Sequence, residues 1–228
     1  MKQSIKQFLN KYPSITEKLK RAKYYLNKTN RSSSKQIHGV DNIFEIHPSA
    51  ILKNCTIDVE GDHNRVIINE NCRLYEVKIY IRGNHNLIVL DSNVTYQSGL
   101  LWEVCNHGRI SIGENTTIEE NVNFQIAEDH LTIAVGQDCM FSSNIFIWPQ
   151  DWHPINNMNR DRINQGKSIS IENHVWVGYD VKILKGVIIG SNNIIGTNAL
   201  ITKSFEEEHV IIAGNPGKIT KRDIHWER

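Results

Sequence analysis

His153 follows Asp151 by two residues at the root of the polar stretch Trp148 to Lys167, and these are the residues best suited to move a proton. Histidine titrates near 6.5 in water, so an imidazole held at hydrogen-bond distance from a hydroxyl can act as its general base. A neighbouring carboxylate can orient the ring and stabilise its charged form. Two residues is an awkward interval for that contact in an extended chain, so Asp151 has a second role open to it, fixing the loop. Trp148 and Trp152 flank the same position. Aromatic rings are common platforms for sugar faces, and packing beneath the loop would explain the two indoles equally well.

A second set of imidazoles, His63, His85, His107 and His130, recurs at intervals of 22, 22 and 23 residues. Side chains that repeat once per coil at about 4.8 Å form a ladder, and a ladder cannot converge on one ion as a tetrahedral site requires. They are read as corner residues, with no metal expected. Cys55, Cys72, Cys105 and Cys139 show no CxxC pairing and are read as small core residues.

The elements that must position these groups are visible from Ile169 to Thr202. Ile171, Val177, Ile183, Ile189, Ile195 and Ile201 fall six residues apart, interleaved with Ile169, Val175, Val181, Val187 and Ala199, a series interrupted at Asn193. A helix repeats near 3.6 and a strand near 2, so period six means a short strand and a turn repeated as one unit. Three such units make one triangular coil of a parallel β-helix. Upstream the beat lengthens: Gly61-Asp62-His63-Asn64 returns as Gly83-Asn84-His85-Asn86, 22 residues on. That spacing predicts an eighteen-residue coil with about four extra residues at one corner, where Asn, Asp and Gly take the turn conformations.

The fold class expected is therefore an all-β solenoid, a parallel β-helix with a short N-terminal helical segment and an extruded loop. Residues 1–38 are read as a basic helical cap and linker, 39–204 as the β-helix with its loop at 148–168, and 205–228 as a C-terminal turn and tail. Residues 1–35 carry ten Lys or Arg against Glu17 alone. Such an arm can associate weakly with a membrane surface or an anionic substrate, or form a solvated helix face. The overall charge of +1 gives no ground for a nucleic-acid partner. Without a bilayer-spanning apolar run or a secretory signal, a cytoplasmic location is expected.

The hexads, Asn173-His174-Val175-Trp176-Val177-Gly178, Asp151-Trp152-His153-Pro154 with Ile163-Asn164, and Ala213-Gly214-Asn215-Pro216-Gly217-Lys218 together resemble the hexapeptide-repeat acyltransferases. Within them the chain is similar to the galactoside, maltose and chloramphenicol-type acetyltransferases and to the sugar O-acetyltransferases of capsule and O-antigen loci. The likeness is dense from about Met140 to Trp226. It implies a left-handed β-helix assembled as a homotrimer with sites between subunits, direct acetyl transfer from acetyl-CoA to a sugar or polysaccharide hydroxyl, and His153 as base. By the same resemblance Trp176 walls the pantetheine channel and Gly178, Tyr179, Thr197, Thr202 and Lys203 line it. Lys218 and Lys221 meet the CoA phosphates, and an amide near Gly178-Tyr179 faces the oxyanion. The galactoside enzymes place an Asn-Phe-Asn segment near the sugar; its nearest counterpart is Asn123-Phe124-Gln125, which makes Asn123 a candidate acceptor residue beside Trp148 and Trp152. An amino-sugar-nucleotide N-acetyltransferase is the alternative among enzymes, and a non-catalytic carbohydrate-binding or scaffold solenoid the alternative outside them.

Overall fold

The computed structural model describes residues 33–228. The chain winds through three parallel sheets in turn, giving the first eight strands (Ser34–His38 to Leu200–Ile201), the second seven (Ile43–Ile46 to Ile188–Ile189) and the third nine (Ile51–Lys53 to Lys218–Lys221). No helix occurs among the described residues. The helices expected within residues 1–38 fall at positions outside them.

The six-residue beat arises because every third hexad returns to the same sheet. Ile57, Ile79, Leu101, Phe124, Ile147, Ile183 and Ile201 are successive register partners down the first sheet, all buried. Each coil thus covers the apolar interior of its neighbour, which is where the stabilisation of a solenoid resides. Partners lie 22 residues apart early, as Ile57 and Ile79, and 18 apart late, as Ile183 and Ile201. Much of the difference goes into the first sheet, where Val77–Arg82 has six residues and Lys182–Leu184 three.

The corner markers behave as turn chemistry dictates. His63, His85, His107 and His130 all have φ between 56 and 62°, and their rings stack at 4.9, 4.8 and 4.7 Å. The adjoining Asn64 and Asn86 turn inward instead: Asn64 Nδ2 donates to the Gly83 carbonyl (2.8 Å), and Asn64 Oδ1 accepts from the Asn86 amide (2.9 Å). Gly61, at φ 125°, has no room for a side chain, since a Cβ there would lie 2.0 Å from the Gly83 oxygen. Asn193, which breaks one hexad series, is buried with its amide satisfied by the Glu207 carbonyl and the Val210 amide. The four cysteines are buried, free thiols; burial pushes Cys72 and Cys139 up to about 11 and Cys105 to about 12.

Three features depart from the sequence reading. The polar stretch ending at residue 38 contains the strand Ser34–His38, paired in register with Thr56–Glu60, so the solenoid begins before residue 39. At an end coil, backbone pairing suffices, and Ile37 alone packs onto the core. The segment 205–228 is more than a tail. Phe205, Val210 and Ile212 are core residues, Ile211–Ala213 adds a rung to the third sheet, and Lys218–Lys221 returns antiparallel against it. Glu103 occupies an inward position between Ile81 and Ile126. Its carboxyl is fully buried without a hydrogen-bond partner, and burial raises its pKa well above the usual carboxylate range.

Candidate functional site

The strand Ile145–Trp148 ends at the corner between the first and second sheets, and the loop leaves there. Its neck is closed by the Lys167 amide donating to the Pro149 carbonyl (2.7 Å). Inside, Asn157 makes a tight turn, its Oδ1 accepting from the amides of Asn159 (2.8 Å) and Asp161 (2.9 Å). The returning arm is held by an Arg162–Glu128 ion pair and by the Gly166 amide donating to Glu128 Oε2 (3.0 Å).

Asn164 is the centre of this loop. Its buried side-chain amide donates to Asp151 Oδ2 (2.9 Å) and to the His153 carbonyl (2.8 Å). Its oxygen accepts from the Ile155 amide (2.7 Å) and Arg162 Nε (3.2 Å). Asp151 is tied down further by Lys185 Nζ at 2.5 Å. The Lys185 ammonium and the Asn164 amide hold its carboxyl below the usual range. Asp151 therefore anchors the loop through Lys185 and Asn164, and its carboxylate makes no hydrogen bond to the imidazole among the described residues. His153 is exposed, with its backbone pinned by Asn164 and its ring without a partner among the described residues. The motif Ile163-Asn164 marked the region, but nothing in its spacing announced Asn164 as the hub or Lys185 as the counterion.

Trp148 and Trp152 come together beside His153. Their rings are 6.1 Å apart, Trp152 is 44% exposed, and Trp148 Nε1 donates to Gln125 Oε1 (2.6 Å). Asn123 does not join them. It is 8% exposed and folds back, its amide donating to the carbonyl (3.2 Å) and Oδ1 (3.0 Å) of Asn121. Gln125, two residues on, is the one that reaches the Trp148 indole.

The residues matched to the cofactor lie elsewhere. Trp176 is on the third sheet, 36% exposed, pointing outward while Val177 points in. Gly178 follows where a Cβ would meet the Ile195 carbonyl oxygen and the Thr197 amide at 2.8 Å. Tyr179 and Thr197 are exposed at the next corner, the Tyr179 carbonyl accepting from the Asn198 amide (2.8 Å). Thr202 and Lys203 follow the last strand of the first sheet. Lys203, Lys218 and Arg222 line an open groove of about 450 Å³ at the end of the solenoid. Glu207 engages Arg222 (2.7 Å), which leaves the two lysines as the cations facing that groove; Lys221 is exposed outside it. The C-terminal segment, unforeseen as a structural part, closes over the coil of Trp176. Trp226 stacks on His174 at 4.0 Å and lies 6.1 Å from Trp176, and His174 Nδ1 bonds Asp138 (2.7 Å).

His153 thus lies on the loop that leaves between the first and second sheets, whereas Trp176 lies on the third.

The model for the bacterial transferase hexapeptide family (six repeats) matches residues 168–203. The polysialic acid O-acetyltransferase of Neisseria meningitidis is 36% identical over 191 residues, which is 83% of this chain and 87% of that protein. The chain belongs to the hexapeptide-repeat acyltransferases. The polysialic acid O-acetyltransferase of Escherichia coli O1:K1 is 35% identical over 106 residues, 46% of this chain and 34% of its own length. The crystal structure of the polySia-specific acetyltransferase NeuO superposes with a TM-score of 0.78 at 32% identity, covering 87% of this chain and 90% of that one. As an acyltransferase of this family the chain is an enzyme.

Proposed function

We propose that this acyltransferase moves an acetyl group from acetyl-CoA to a sugar hydroxyl of a polysaccharide, and that polysialic acid is the first acceptor to test. The observation that carries the reading is His153: an exposed imidazole on a backbone held rigid by Asn164, beside two indoles able to seat a sugar. A sugar hydroxyl is a poor nucleophile at neutral pH, and a base within hydrogen-bond reach removes its proton as it attacks. Bound acetyl-CoA supplies the acetyl thioester. His153 takes the hydroxyl proton as the new C–O bond forms, then returns it to the departing sulfur as the C–S bond breaks. The Gly178 amide already donates to the Ile195 carbonyl (2.8 Å), so the Tyr179 amide beside it is the donor we assign to the developing oxyanion. Lys203 and Lys218 fit the phosphate end of CoA by charge, and Trp176 fits a channel wall by its exposure.

Because His153 and Trp176 occupy different faces of one chain, a site that uses both draws them from two copies. A homotrimer satisfies this requirement. We place the reaction in the cytoplasm, with residues 1–35 as a weak anchor to an anionic surface.

The test is thiol release from acetyl-CoA with polysialic acid, other capsular polysaccharides and galactosides as acceptors. General-base removal is worth about 10²–10⁴ in rate, so His153→Ala should lose at least a hundredfold at unchanged thermal stability. Full activity in that variant, or no acceptor-dependent release by the wild type, would end this reading.

A further inference from the structure

Tyr80, Trp102, Gln125 and Trp148 lie in one outward column on the first sheet. Tyr80 is the register partner of Trp102, and Trp102 of Gln125, whose Oε1 holds the Trp148 indole. The rings form a continuous row: Tyr80 to Trp102 is 6.3 Å with planes 8° apart, Trp102 to Trp152 is 5.6 Å, and Trp152 to Trp148 is 6.1 Å. All four rings remain partly exposed. One end of the row is the residue beside His153. The other is capped by Arg82, which lies 3.9 Å over the Tyr80 ring and is fixed by Asp58 (3.0 Å) and Glu60 (3.1 Å).

We propose that this row is an acceptor track, binding the glycan chain on one side of the sugar that is acetylated. This rests on the acetyl-transfer reading above and adds the surface on which the polysaccharide lies beyond the sugar that is acetylated. Three coil steps of ~4.8 Å put Tyr80 about 14 Å from Trp148 along the axis, a reach that one monosaccharide cannot span. The row offers apolar ring surface with free polar tips, since Tyr80 Oη and Trp102 Nε1 have no hydrogen-bond partner among the described residues. That combination suits a hydroxyl-rich ligand. A second copy of the chain packed here would bury both tips, at a cost unless each found a partner.

The test uses polysialic acid cut into fragments of graded length, with wild type, Tyr80→Ala, Trp102→Ala and Trp102→Phe. Tyr80 touches Trp102 and Arg82 but not the catalytic loop, so its removal should raise KM for long fragments roughly tenfold, as expected for losing one aromatic contact with its area. Turnover of the shortest accepted fragment should be unchanged. Trp102→Ala should do the same with an earlier onset in length, and Trp102→Phe should restore most of the affinity. Molecular mass by light scattering should be that of wild type in every variant. An unchanged KM at all lengths, or a loss equal at all lengths, overturns the track. A fall in assembled mass also overturns it and makes the row an interface between copies. A wild type that acetylates no polymer fails at an earlier step, sinking the acetyl-transfer reading and the track with it.

Discussion

Glu103 provides a quantitative test of the core. Its carboxyl sits between two isoleucine rungs with no donor in reach, so nothing offsets the desolvation that keeps it protonated. A carboxyl whose pKa is raised in the folded state binds its proton more tightly folded than unfolded, so stability is lost as pH rises. The loss starts at the unfolded value, about 4.3, and runs at about 1.4 kcal/mol per pH unit until the folded value is reached. From pH 5 to pH 6 the wild type should lose up to about 1.4 kcal/mol relative to Glu103→Gln, which has the same shape and no proton to release. For a chain of this size that is about 3–5 °C in melting temperature. Melting or urea unfolding of both proteins at the two pH values measures the difference, and contributions from the histidines cancel between them. Parallel pH profiles for the two proteins would show that Glu103 is not a buried neutral acid.

The loop and the C-terminal clasp make two further predictions. Asn164→Ala removes the bonds to Asp151, His153, Ile155 and Arg162 while leaving the imidazole in place; small misplacement of a catalytic group costs about a hundredfold, so kcat/KM should fall by that order with the far-ultraviolet circular dichroism unchanged. Trp226→Ala should raise KM for acetyl-CoA by about three- to tenfold through loss of its stacking beside Trp176, with acceptor KM unaltered; steady-state kinetics varying each substrate in turn separates the two.

How much of this could be read from the sequence follows from how each contact is encoded. The solenoid was legible because Ile171, Val177, Ile183 and their successors each fill the same place in a coil, and a stack of coils repeats that demand in the text. The turn histidines were legible for the same reason, and the loop because it breaks the beat at Asp151 to His153. Contacts that no period encodes were not. Lys185 reaches Asp151 across 34 residues and His174 reaches Trp226 across 52, pairings set by how loop and tail return to the surface. Asn123, an acceptor candidate by resemblance alone, turns its amide back to Asn121, a choice made by local hydrogen bonding. Ser34–His38 was hidden because an end coil needs only one inward apolar residue, Ile37. Glu103 stands at a position where the pattern calls for an aliphatic residue, and only burial reveals that it faces inward.

The change from 22-residue to 18-residue coils also bears on how such an enzyme can diverge. The wide coils precede the loop and the narrow ones follow it, so the chain is a thick rod grafted onto a thin one with His153, the proposed base, at the joint. Duplicating or deleting a whole wide coil lengthens or shortens the first sheet by about 4.8 Å while every narrow coil keeps its distance from His153. Insertion of repeats alters one half, and point substitution tunes the other. Reach along a polymer and fit to the acyl donor are then inherited as separate traits.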